Sequence, residues 1–413
     1  MTTATLPAAE RRWFGHPSGL TILFLTQTWE QFSYYGMRAL LIYYMTKALR
    51  MDAAQASFVF GLFVAFFYLT PIVGGMVTDA WLGRKRAIIV GAVTMAAGHF
   101  LLAFDGWLYA ALAVIAIGNG FFLPAVPSQI GDLYANNDPR RSGGYTLYYL
   151  GINLGGFLAP FVCGSLGELY GWHWGFGAAG VGMLGGLLIY IAGHRHLPPE
   201  PARVPNRRLP LRLFDTPTLR LFLLVGIGVT LFRGAYQQVG SIIALWIDSG
   251  VDRNAAGFEI PMTWFQSLNP LFVFALTPLI VALSRRGERP HLPRMATGAV
   301  LVGAACFLLA ILAETGGARV SWPWLLLFFF LLTLGELYVL PVGLDLFAGR
   351  APAGASNLAV AAGYFTIFTG SLYSGFIGRY WTAKAPAAFF LLIGLSSVAG
   401  ATLLAWIGRR SVP

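Results

Sequence analysis

Residues 194–212, HRHLPPEPARVPNRRLPLR, form a polar, basic segment in which five prolines exclude a continuous helix, and the position of this segment decides the fold. Six apolar runs precede it, at about 18–46, 56–80, 87–104, 108–133, 143–168 and 174–193. Six more follow, at about 218–247, 259–284, 296–313, 323–347, 356–378 and 386–408. Each is close to the roughly 20 apolar residues that cross a bilayer. The layout is six spans, a linker and six spans, predicting an all-α integral membrane protein. Its expected units are an N-terminal bundle over 13–197, a basic linker over 198–217 and a C-terminal bundle over 218–408.

Composition excludes the alternatives. The chain has 413 residues, 57% of them hydrophobic and only 11% charged, against about 25% charged in a soluble domain. Twelve spans with short loops leave no room for a separate catalytic domain. There is no H-E-x-x-H, phosphate loop or nucleophile constellation, so an enzyme is not expected, nor is a metal or cofactor. Cys163 and Cys306 both lie in apolar stretches and read as buried free thiols.

The net charge of +11 raises the question of nucleic acid, and topology answers it. The residues through Glu10, Arg11 and Arg12 are polar and basic, without a small-residue cleavage site, and read as a cytoplasmic N-terminus with no removed targeting segment. With loops alternating from there, 20 of the 28 Lys and Arg residues fall inside, among them Arg84, Lys85, Arg86, Arg140, Arg141 and most of the linker arginines. Six fall outside, and Arg38 and Arg233 fall within spans. This is the positive-inside pattern, so the expectation is a multi-pass cell-membrane protein with both termini cytoplasmic, a lipid bilayer as surroundings, no nucleic-acid partner and a monomeric state.

The halves echo each other: GNGFFLPAVPSQIGDL in the fourth span and LGELYVLPVGLDL in the tenth align through Pro124 and Pro341, placing Asn119 opposite Glu336. Such internal similarity marks transporters that rock two bundles about a midplane site. GGMVTDAWLGRKR (74–86) matches the cytoplasmic signature of the major facilitator superfamily, with Asp79, Arg84, Lys85 and Arg86 as gating candidates. Ionisable groups inside spans mark function more sharply, because each costs roughly 2.5 kcal/mol or more unless it faces water or a partner. Glu30, Arg38, Arg233, Glu336 and Asp345 qualify. Glu30 and Arg38 are eight residues apart and share a helix face, Glu336 precedes an expected helix break at Pro341, and Asp345 suits a helix end or gate. His99 reads as a packing group hydrogen-bonded to a neighbour, and G-V-G-M-L-G (180–185) as small residues packing helices rather than a dinucleotide site.

WEQFSYYGMRALLIYY (29–44), YYLGINLGGFLAPFVCGSLGELYGWHWGF (148–176), FQSLNP (265–270) and GELYVLPVGL (335–344) together resemble the proton-coupled oligopeptide transporter family, a branch of the major facilitator superfamily, over nearly the whole chain. The resemblance implies two pseudo-symmetric six-helix bundles, without the two extra helices usual in bacterial members. It implies secondary active transport of short peptides or peptide-like solutes by alternating access. By position it assigns Tyr34, Tyr35, Arg38, Tyr68, Asn153, Asn269 and Glu336 to the substrate, Glu336 facing its amine.

The chain departs from that pattern where charge matters. Gln27 and Gln31 stand where the family has a glutamate and an arginine, Leu123 where it has a lysine, and Gln237 where it has an acid, while Arg233 replaces a tryptophan. Arg233, with Arg38, is therefore the candidate for the anionic end of the substrate, and Glu30 and Glu336 are the remaining proton-coupling candidates. Altered or weak proton coupling follows as the expectation. A facilitator or symporter of another amine-bearing solute or natural product is the alternative, and a receptor-like descendant a distant one.

Overall fold

The computed structural model describes residues 14–135, 138–200, 216–284, 290–317, 319–350 and 356–410, so most of the linker lies outside the described residues. Twelve long helices run in chain order: α1 Ser18–Tyr43, α2 Ala53–Val77, α3 Arg84–Leu101, α4 Leu108–Asp132, α5 Arg141–Ala159, α6 Trp172–Gly193, α7 Thr216–Tyr236, α8 Leu268–Ser284, α9 His291–Thr315, α10 Pro323–Arg350, α11 Ser356–Ile377 and α12 Pro386–Arg410. Among the described residues, nine helical spans are long and apolar enough to cross a membrane by themselves. α1, α3 and α11 are not among those nine. α1 carries Gln27, Glu30, Gln31 and Arg38, and α3 opens on Arg84-Lys85-Arg86. The most polar span is thus the one with most to contribute to a cavity.

α1, α2 and α5 each continue into one wider π turn, at Tyr44–Ala48, Thr78–Leu82 and Pro160–Gly164. After its π turn α5 adds a short helix, Ser165–Tyr170, and α7 continues through a 3-10 turn into Ile242–Gly250. The chain is not purely helical at the end opposite its termini. There β1 (Val251–Asp252) pairs with β4 (Val320–Ser321), and β2 (Asn254–Ala255) with β3 (Phe258–Glu259), around a turn with positive φ at Ala256 and Gly257. The expected break at Pro341 is not found, since α10 runs on to Arg350. Proline removes one helix hydrogen bond, and in a membrane neighbouring helices offset that loss.

Two large cores fill the molecule. One is built on α1–α6 and includes Tyr43, Tyr44, Phe176 and Tyr190; the other is built on α7, α9, α10 and α12, with Phe232, Phe328, Phe329 and Phe390 fully buried. Small residues set the close approaches inside them. A Cβ on Gly182, in the G-V-G-M-L-G run of α6, would sit 2.6 Å from Phe32 Cδ1 of α1, so these glycines pack helices, as expected.

The contacts that join the bundles cluster at the end away from the termini. Lys47 pairs with Asp248 at 2.7 Å, and the Tyr43 hydroxyl donates to Ala244 O. The Glu168 carboxylate accepts from the backbone N–H groups of Met262 (3.1 Å) and Thr263 (2.9 Å) and from the Thr263 hydroxyl, so an acid of one bundle caps a helical turn of the other. Trp264 Nε1 donates to Ser165 Oγ beside it. α2 lies along α11, where a Cβ on Gly61 would fall 2.5 Å from Gly375 Cα. Toward the terminus end, α4 packs on α2 and α3, α10 packs on α8, α9 and α11, and no extensive packing joins α4 to α10. Among the described residues, the bundles are therefore joined at one end and not extensively packed together at the other. Gly61→Val is expected to keep both bundles folded, since each has its own core, while parting the joined end. The check is faster thiol labelling of a cysteine placed at Ser57, with a thermal midpoint close to wild type; unchanged labelling would show that this glycine contact does not hold that end together.

Candidate functional site

Polar side chains from α1, α2, α5, α7, α8, α10 and α11 converge between the bundles. On α1, Glu30 is fully buried. Gln27 Nε2 and Gln31 Nε2 donate to the same oxygen, Oε2, at 2.6 and 2.7 Å, whereas Oε1 has no hydrogen-bond partner among the described residues. The two glutamines are thus the companions of Glu30. No ion pair joins it to Arg38 or Arg233 among the described residues, although Glu30 and Arg38 lie on one helix.

Arg38, two turns further along α1, reaches across to α7. Its Nη2 donates to Gln237 Oε1 at 2.9 Å, and Gln237 Nε2 donates in turn to Ser371 Oγ at 3.2 Å, so a neutral relay ties α1, α7 and α11 together. The guanidinium carbon lies 5.7 Å from the ring centroids of both Tyr35 and Phe60, a stacking that suits the weakly hydrated guanidinium. Arg233 sits one turn before Gln237 on α7 and is 8% exposed; its Nε has no partner among the described residues. Tyr236, Tyr68 and Glu336 are its electrostatic neighbours.

In the C-terminal bundle, Glu336 on α10 accepts from Asn269 Nδ2 of α8 at 2.7 Å, and the same amide group reaches Thr333 Oγ1 at 3.0 Å. The Tyr236 hydroxyl lies against the same carboxylate. Tyr35, Tyr68 and Tyr149 complete the wall; Tyr149 is 40% exposed, and Asn153, one turn on, donates to its carbonyl at 2.9 Å. Tyr68 faces Tyr364 of α11 with ring centroids 6.3 Å apart. Tyr34 is set deeper, 1% exposed and stacked on Phe67 at 4.3 Å. The structure thus brings Tyr35, Arg38, Tyr68, Arg233, Asn269 and Glu336 into one region, with Asn153 at its edge and Tyr34 behind it. Tyr149, Thr333 and Tyr364 escaped the sequence. Tyr149 had a signal, one helical turn from Asn153, whereas the others depend on neighbours far away in the chain.

The gating candidates sit at the terminus end. Arg84 pairs with Asp132 within the N-terminal bundle, the backbone N–H of Lys85 donates to Glu200, and Arg86 and Asp79 are exposed. Asp79 makes no ion pair among the described residues. Gly83, at φ 78°, supplies the left-handed turn between α2 and α3. Asp345 pairs with His291 Nε2 at 2.7 Å, as suits a helix end. His99 corrects an expectation. It is fully buried, but neither ring nitrogen has a hydrogen-bond partner among the described residues, so it packs as an apolar ring.

A family model described as POT family matches residues 85–206 and 217–389, and one described as MFS/sugar transport protein matches 11–143. The chain belongs to the POT family. It is similar to an uncharacterized transporter, YclF, of Bacillus subtilis, at 32% identity over 94% of this chain and 93% of that one. It is also similar to the peptide transporter YePEPT of Yersinia enterocolitica, at 30% identity over 92% and 91%. A solved structure of a peptide transporter POT variant in complex with alafosfalin superposes with a TM-score of 0.89 at 31% identity, covering 97% of this chain and 96% of that one. The twelve-helix major facilitator fold, the multi-pass membrane character and a place among transporters rather than enzymes are thereby established for this POT-family chain. Within it, Gln27 and Gln31 are expected to stabilise the buried Glu30. Gln31→Leu removes one of its two donors and should cost about 1–3 kcal/mol. The check is thermal unfolding in detergent, and a midpoint unchanged in Gln31→Leu would show that the pair of amides carries no stability.

Proposed function

We propose that this POT-family protein is a secondary active transporter that carries short peptides or peptide-like solutes across the cell membrane by alternating access. One observation carries the proposal. At the junction of the bundles a carboxylate, Glu336, and two guanidiniums, Arg38 and Arg233, share a cavity without forming an ion pair among the described residues. Charges held inside a membrane without ion-pair partners suit a ligand bearing both signs, and a peptide backbone has an amine at one end and a carboxylate at the other. Glu336, held by Asn269, is assigned the amine. Arg38 and Arg233 are assigned the anionic side, with Tyr35, Tyr68 and Asn153 as hydrogen-bonding groups for the backbone and Tyr34 as their support. The named peptide transporters among the relatives support the same cargo.

The excess of Lys and Arg at the terminus end supports a cytoplasmic location for both termini. The less packed end then faces the cytoplasm and the end joined by Lys47–Asp248 and Glu168 faces outward. Asp79 and the Arg84-Lys85-Arg86 run are assigned to the cytoplasmic gate. We take the working unit to be a single chain.

Energy coupling is assigned to Glu30 and Glu336. Where the family has an acid at position 237, this chain has a neutral amide bonded to Arg38, so the contact between α1 and α7 does not change with a proton. That removes one titrating step and supports altered or weakened proton coupling.

The proposal is tested with the purified protein in sealed proteoliposomes. Uptake of a labelled dipeptide is expected in the wild type. In Glu336→Gln a lost charged hydrogen bond of roughly 1.5–3 kcal/mol should weaken binding by about 10- to 100-fold. Full uptake in that folded variant would remove the amine assignment. Under an inside-alkaline pH gradient, wild-type accumulation is expected to be weak and to vanish in Glu30→Gln. Gln237→Glu, which restores an acid beside Arg38, is expected to steepen the dependence on pH. Strong uphill uptake that survives Glu30→Gln would reject Glu30 as the coupling group.

A further inference from the structure

Charge around the central cavity does not balance, and the imbalance points to a class of cargo. This inference rests on the assignment of the cavity as a peptide site. Among the described residues, Glu336 is the one carboxylate electrostatically coupled to the cavity's two cations, Arg38 and Arg233, and it already accepts from Asn269. Glu30 forms no ion pair with either arginine among the described residues: it is fully buried, and its hydrogen bonds go to Gln27 and Gln31 on its own helix. Leu123, nine-tenths buried on α4, brings no charge.

The cations are also separately mounted. Arg38 springs from α1, rests against Tyr35 and Phe60, and is oriented by Gln237, while its Nε has no partner among the described residues. Arg233 springs from α7, four residues before Gln237, which is about 6 Å along a helix axis. Its stem lies on Gly370 of α11. A Cβ there would collide with Arg233 Cβ and come within 3.0 Å of its Cδ, so the glycine is the space through which this arginine passes. No ion pair joins either guanidinium to a carboxylate among the described residues. Two forks mounted on different helices can hold two carboxylates of one small molecule separately, each with its own paired N–H donors.

We infer that the cavity has two anion anchors and selects peptides carrying an acidic side chain in addition to the terminal carboxylate, Arg38 and Arg233 each taking one carboxylate while Glu336 takes the amine. A dipeptide with an uncharged side chain leaves one guanidinium without a partner. A lysyl side chain adds a further cation to a cavity that already has an excess.

The experiment is a competition series on the full-length protein in proteoliposomes at neutral pH, with alanyl-alanine, alanyl-aspartate and alanyl-lysine displacing a labelled dipeptide. Alanyl-aspartate should bind about 10-fold or more tighter than alanyl-alanine, and alanyl-lysine weaker than both. In Arg233→Leu the ratio of alanyl-aspartate to alanyl-alanine affinity should fall to about 1, whatever change alanyl-alanine itself shows, and Arg233→Lys should recover part of the ratio. Equal affinity for alanyl-aspartate and alanyl-alanine in the wild type overturns the inference without any variant, and leaves the peptide assignment standing. Binding of none of the three overturns the peptide assignment and the selectivity with it. An aspartate preference that survives Arg233→Leu places the second anchor elsewhere and overturns the role of Arg233.

Discussion

A charged side chain inside a bilayer must have a partner, a hydrogen-bonding shell or access to water, and the rest of this molecule is arranged around how four such groups meet that condition. Glu30 meets it with two amides on its own helix. Arg38 meets it with Gln237 and two aromatic rings, and Glu336 with Asn269. Arg233 passes through a gap left by Gly370 and ends among Tyr68, Tyr236 and Glu336. The junction between the two bundles places groups from α1, α7, α8 and α10 near one another. The twelve-helix architecture is the means by which that placement is reached in a chain that is 57% hydrophobic.

The same constraint explains how the two bundles meet. They can part only if the contacts between them are individually weak or replaceable by water, and those at the joined end fit that description. Lys47–Asp248 is an exposed ion pair of small worth, and the donors that Glu168 satisfies can all be satisfied by solvent once the end opens. Each bundle meanwhile keeps its own buried aromatic core, so opening costs little packing. The relay from Arg38 through Gln237 to Ser371 crosses the cavity without a formal charge on its second and third members, which makes it insensitive to protons by construction.

Much of this was legible in the sequence because membrane insertion imposes simple patterns. Twelve apolar runs, five prolines in the linker and the one-sided distribution of Lys and Arg are each visible in the chain alone, and the helices, with the turns and short helices that continue α5 and α7, begin and end within a few residues of the runs, apart from the irregular turns ahead of α8. Departures came from effects that act through space. Pro341 does not break α10, because neighbouring helices support it. His99 lacks the partner that its polarity implied, and the short strands at the joined end depend on pairing between residues 251 and 320. Glu168 meets Thr263 across 95 positions, a contact with no local signature. At the candidate site, residue types at family positions singled out Glu336, Asn269 and Arg38, which the fold brings near one another. That Gln27 and Gln31 share a single oxygen of Glu30, and that Gly370 makes room for Arg233, needed three dimensions.

The central claim is that the charges left without ion pairs in the cavity are completed by the two ends of one small peptide. The most direct measurement is an experimental structure of the protein with an unlabelled dipeptide bound. The account predicts density between α1, α7 and α10, the peptide amine within hydrogen-bond distance of Glu336 and a carboxylate within reach of a guanidinium of Arg38 or Arg233. A peptide bound with its carboxylate toward Glu336, or bound outside this cavity with the four charged groups unchanged, would contradict it.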